Sequence, residues 1–69
     1  MATSIARVTE ITAQSDKGFD DAIQKGIERA CKTLDNVTGA WVQEMTVDVQ
    51  DGHIAGYRVN MKVTFVLND

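Results

Sequence analysis

An α+β fold in the order β-α-β-β, with a three-stranded antiparallel sheet wrapped around one helix, is the architecture this sequence predicts. Three observations point to it: a β-branched opening segment, one run of apolar residues at helical spacing, and a long hairpin folded at Asp51-Gly52. The chain shows no internal repeat, no proline and no low-complexity tract, so residues 1–69 read as a single domain.

The first strand is read from Ser4 to Thr12, where Ile5, Arg7, Thr9 and Ile11 alternate with Ala6, Val8, Glu10 and Thr12. β-branched residues dominate, yet neither face is cleanly apolar, which suits a strand touching two environments. A polar connection follows, with Ser15 or Asp16 as the expected helix N-cap. From about Lys17 to Asn36 the apolar residues Phe19, Ile23, Ile27, Ala30, Leu34 and Val37 recur at steps of three and four, which predicts an amphipathic helix. Asp20 and Asp21 suit the first turn and Lys32 the last. Asp21 with Lys25, and Glu28 with Lys32, are expected as i,i+4 pairs on the solvated side. Gly26 inside the helix costs about 1 kcal/mol against alanine, and a close contact with a neighbouring element is the expected reason.

Asp-Gly between alternating strands is a hairpin signal because a two-residue type I′ turn needs positive φ at both central positions. Such a turn sets Gln50 opposite His53. An unbroken register from there places Ala40, Val42, Glu44 and Thr46 on one face with Val63, Met61, Val59 and Tyr57. Trp41, Gln43, Met45 and Val47 then share the other face with Lys62, Asn60, Arg58 and Gly56. The helix covers the first face, and nothing else in the chain is left to cover the second.

Composition narrows the function classes. A chain of 69 residues is near the lower limit of what one core stabilises alone, and small domains add disulfides, a metal or oligomerisation. One cysteine excludes an internal disulfide, and one histidine without companion cysteines argues against a structural zinc site, so a homo-oligomer is expected. A net charge of −3 without a basic cluster argues against nucleic acid as partner. No apolar run reaches membrane-spanning length and no signal-peptide layout is present, which predicts no membrane partner and a cytoplasmic location.

Trp41 on the uncovered face is a candidate stacking platform for a planar ligand; an interface tryptophan packed on Lys62 is the plainer reading. Arg58 on the same face offers a planar fork of donors to a carbonyl-rich heterocycle or a phosphate, against the commoner role of a solvated or inter-subunit salt-bridge residue. The two stand about 13 Å apart along the strand, so one ligand meets both only where subunits meet. Gln43 and Met45 are second-rank candidates. Cys31 reads as an inert thiol, and His53 as an exposed residue beside the turn. Glu44, opposite Val59, is the one carboxylate expected on an apolar face. Asp48 and Asp51 lack the spacing of a calcium loop, and no phosphate loop, triad or metal motif is present. An enzyme is not expected.

The opening strand "RVTEITAQS", the helix "FDDAIQKGIERACKTL", the "DG" turn and the closing strand "YRVNMKVTFVL", in this order and at this length, resemble the dodecins, small bacterial and archaeal flavin-binding proteins. The resemblance covers nearly the whole chain. It implies assembly as a hollow homododecamer of 23 symmetry. Flavins of the riboflavin or FMN type would be held non-covalently between symmetry-related tryptophans, for storage and quenching rather than turnover. Trp41 would stack on the isoalloxazine, and Arg58 would donate to its pyrimidine edge.

Two positions depart from the family's usual pattern. An ungapped comparison from the helix puts Gly39 and Ala40 where the dodecins commonly carry the first two residues of Trp-Phe-Glu-Val. Trp41 follows two residues later, on the same face but displaced by roughly 7 Å. Tyr57-Arg58-Val59 replaces a common Tyr-Gln-Val, and arginine can donate to flavin carbonyls but cannot accept from the ring N–H. Two readings follow: a variant flavin pocket built on Trp41 and Arg58, or a dodecin-fold assembly that has lost flavin and serves as an ion-binding or purely structural oligomer.

Overall fold

A computed structural model of the protein describes residues 3–67. The order is β1 (Ala6–Ser15), α1 (Phe19–Thr33), β2 (Val37–Gln50) and β3 (His53–Val66). The three strands form one antiparallel sheet in the order β1-β3-β2. β1 is displaced from the expected range because Gln14 and Ser15 still pair, with Arg58 and Tyr57.

The helix is shorter at both ends than its apolar spacing predicts. Gly18 stands at the N-cap with no side-chain cap bond. Ser15 caps nothing: its hydroxyl donates to Asp21 Oδ2 at 2.6 Å and accepts the Lys17 N–H at 2.9 Å. At the far end Leu34 turns extended while its N–H still reaches the Ala30 carbonyl at 2.9 Å. Asn36 takes a left-handed φ of 62°, which asparagine tolerates better than most residues, and the chain reverses into β2. Neither expected i,i+4 ion pair forms among the described residues. Asp21 is engaged by Ser15, and Glu28 accepts from Gln24 at 3.0 Å.

The core lies between α1 and the inner face of the sheet. Val59, Met61 and Val63 on β3 are fully buried, with Ala22 of the helix, and Ile11, Ala13, Phe19, Ile23 and Ile27 pack around them. Phe19 meets Tyr57 edge-to-face, with ring centroids 5.1 Å apart. The glycine in the helix has the reason expected of it. A Cβ at Gly26 would stand 2.7 Å from Met61 Cε and 3.0 Å from Ala13 Cβ.

The turn forms as the sequence dictates, with φ of 53° at Asp51 and 77° at Gly52, and Gln50 faces His53. Beyond it the register is broken three times, the outermost at Thr38, an extra residue on β2 between the Val37–Phe65 and Gly39–Thr64 pairs. Ala55 is an extra residue on β3, so Asp48 pairs with Gly56, and Gln43 is an extra residue on β2, so Val42 pairs with Met61. Between these bulges every pairing slips by one place. Glu44 therefore faces Asn60 rather than Val59 and lies exposed on the outer face, away from the helix. Thr46, placed with Tyr57 by the unbroken register, faces Arg58, while Met45 faces Val59 and Val47 faces Tyr57, which moves both to the helix side.

The molecule is long, 55 × 20 × 14 Å. Its radius of gyration of 14.5 Å exceeds the roughly 11 Å of a compact chain of this length. The cause is the hairpin. β1 pairs no further than Tyr57, and α1 contacts the sheet through β1 and β3, so the turn end of β2-β3 stands out as a two-stranded arm. α1, the helix among the described residues, is not long and apolar enough to cross a membrane.

Candidate functional site

Trp41 lies on the outer face of β2, opposite Lys62, as the hairpin register predicts. It is 48% exposed, and Lys62 Nζ sits 5.8 Å from the ring centroid, within cation–π range. The indole is thus half fixed by its cross-strand neighbour and half open. Strand order sharpens the point: β2 is an edge strand, so no further strand of this chain flanks Trp41.

Arg58 occupies the same outer face, four residues along β3 from Lys62. Its Nη2 donates to Asp48 Oδ2 at 2.9 Å, in the one ion pair found among the described residues. The same carboxylate oxygen accepts from Gln14 Nε2 at 2.9 Å. A polar triplet therefore ties all three strands together. Gly56 leaves the room for it, since a Cβ there would stand 3.1 Å from Gln14 Nε2 and 3.4 Å from Asp48 Oδ2. The fold gives Arg58 a salt bridge within its own chain, where the plainer reading expected a solvated residue or a bridge between subunits. Both side chains remain partly exposed, so the pair contributes less than about 1 kcal/mol, and Arg58 keeps further donors for another acceptor.

The second-rank residues separate from this pair. Gln43 sits in the bulge, exposed and without a strand partner of its own. Met45 was expected opposite Arg58 on the Trp41 face; the slipped register places it on the helix side, opposite buried Val59. The signal for that correction is present in the sequence. Apolar residues fall on even positions at Ala40 and Val42 and on odd ones at Met45, Val47 and Val49, and such a parity change marks a bulge between them. Sequence reasoning also missed Asp48 and Gln14 as the partners that aim Arg58.

Two cavities flank α1, and neither brings Trp41 and Arg58 together. A cleft of about 530 Å3 opens between α1 and the free edge of β1, and an apolar groove of about 370 Å3 runs between α1 and the start of β2. Neither includes Trp41 or Arg58. A planar ligand on Trp41 would have the indole on one side and, from this chain, nothing on the other. Among the described residues no three His, Cys, Asp or Glu side chains are grouped as metal ligands.

Comparison with known proteins places this geometry. The family model described as Dodecin matches residues 5–68. Dodecin from Streptomyces davaonensis is 41% identical, with 99% of this chain and 100% of that one aligned at a TM-score of 0.93. Dodecin from Streptomyces coelicolor is 30% identical over 100% of this chain and 99% of that one, also at 0.93. A protein from Mycobacterium tuberculosis, described as a calcium-chelating antigen and calcium dodecin with a novel calcium-binding site, is 27% identical. It covers 94% of this chain and 93% of its own, at 0.81. Comparison with curated protein sequences gives no match.

Proposed function

Because this chain belongs to the dodecin family, we propose that it binds a riboflavin- or FMN-type flavin non-covalently and sequesters it, without turnover, in a cytoplasmic homododecamer. The observation that carries the reading is Trp41. It is a half-exposed indole on an edge strand, on the face away from the helix, with a cation beside its ring. A second copy brought up to that face supplies the missing wall of a stacking pocket.

The chain's own residues divide the work. The indole of Trp41 offers an electron-rich face to the electron-poor isoalloxazine, and offset stacking of that kind adds about 0.5–1.5 kcal/mol beyond the area it buries. Arg58, held by Asp48, presents its remaining N–H groups to carbonyl acceptors at the ring's pyrimidine edge. Lys62, beside the indole, places a positive charge where a flavin phosphate gains from it. Stacking on indole also explains storage with quenching, since an excited flavin in contact with tryptophan loses its emission.

The test is optical. Riboflavin and FMN titrated with the protein should each lose fluorescence, and Trp41→Ala should abolish that loss. Unquenched flavin at micromolar protein overturns the flavin reading. Quenching that survives Trp41→Ala removes the stacking role from Trp41.

A further inference from the structure

We propose that the hairpin arm of one copy of this chain seats in the apolar groove beside α1 of a second copy. The inference rests on the assembly read above and names a contact within it.

The exposed apolar strip runs from the three-stranded sheet out onto the arm: Met45 and Val47 face Val59 and Tyr57, which β1 still pairs, and Val49 and Ile54 face each other on the two-stranded arm beyond. All four are on the helix side of the hairpin and exposed, Val49 to 66%. Asp48 and Arg58 fall on the other side, paired with each other. A two-stranded ribbon with neither a third strand nor a helix is marginal in water, so an apolar strip along it calls for cover. The chain's own helix does not reach it.

The groove has complementary chemistry. Ile23, Ile27, Cys31, Val37, Ala40 and Val42 line it, and no charged side chain does. A copy cannot fill its own groove with its own arm, because Ala40 and Val49 lie about 30 Å apart along β2 at 3.3 Å per residue. The area fits a partner as well. The chain exposes 5064 Å2, roughly 800 Å2 more than a compact monomer of its mass, which is what one side of a standard interface buries. Arm into groove is a head-to-tail contact, in which every copy gives one arm and receives another, and a closed assembly of the kind read above follows where the rotation between successive copies closes.

Cys31, the only cysteine in the chain, lines the groove and reports on its occupant. Val49→Cys and Ile54→Cys each add one thiol to the arm of an otherwise unchanged chain, at positions already exposed. A short bismaleimide applied to the assembled protein should link arm to groove, giving dimers and higher multiples on a denaturing gel. The unmodified chain should give none, and Cys31→Ala should remove the ladder from either variant. Cross-linking that stops at dimers and survives Cys31→Ala means that arm meets arm, and overturns the proposal. So does an assembled particle, verified by light scattering, in which neither variant links to Cys31. A monomer in light scattering overturns the assembly itself, and the two failures are thereby told apart.

Discussion

Replacing Gly26 by alanine sets two magnitudes against each other at one carbon atom. Alanine in a helix interior gains about 1 kcal/mol over glycine from propensity alone. The added methyl, however, would enter a site where Met61 Cε stands 2.7 Å away and Ala13 Cβ 3.0 Å away. Met61 Cε is the far end of a flexible side chain that also lines the groove beside α1, so it can give way, whereas Ala13 Cβ is fixed to the β1 backbone and carries the clash. Overpacking of this kind costs about 1–3 kcal/mol, so the net expectation is a loss of roughly 1 kcal/mol, with a Tm lower by about 4–8 °C. Denaturant unfolding at one fixed protein concentration measures it, because assembly makes stability concentration-dependent. Gly26→Ala combined with Met61→Leu removes the closer clash, and the double variant should lose less than the sum of the singles. A Gly26→Ala protein more stable than the parent would refute the close packing of α1 on β1 and β3.

Three further outcomes are expected. Asp48→Ala should change stability by less than about 1 kcal/mol while releasing Arg58 from the partner that aims it, and flavin affinity should fall several-fold by fluorescence titration; an unchanged affinity removes Arg58 from the pocket. Lys62→Ala should weaken FMN more than riboflavin in the same assay, since only FMN carries a phosphate; equal losses would mean that Lys62 serves the indole alone. Gly52→Ala, at φ of +77°, should cost about 1–2 kcal/mol in the denaturation midpoint and speed amide exchange near the turn, whereas a neutral result would contradict the type I′ geometry.

What was legible in the sequence was what local chemistry decides. Asp51-Gly52 forces its turn, the turn fixes Gln50 against His53, and helical spacing marks the residues that bury α1. Trp41 opposite Lys62 also followed, although for a reason that partly cancels: the slip begun at Ala55 is undone at Gln43 before Trp41 is reached. The middle of the hairpin was not legible from the turn outward, because its register is decided by contacts across the sheet. Asp48 reaches both Arg58 on β3 and Gln14 on β1, partners 10 and 34 residues away in sequence, and no window along the chain contains all three. The helix ends were misjudged for a similar reason. Ser15 is chemically a good cap, but the helix starts only at Phe19, and the Ser15 oxygen accepts the Lys17 N–H ahead of it while its proton goes to Asp21.

The bulges at Ala55 and Gln43 have a consequence for how the hairpin is held. Its turn and its root, Gly39 to Val42, are paired in the same frame, and only residues 44–48 between them are offset. A segment pinned at both ends in one frame and displaced by a single step in the middle behaves like the sliding scale of a vernier. That offset turns Met45 and Val47 to the helix side and Glu44 and Asp48 to the tryptophan side, and the Asp48 carboxylate, bonded to Gln14 and Arg58, ties the displaced segment to both other strands.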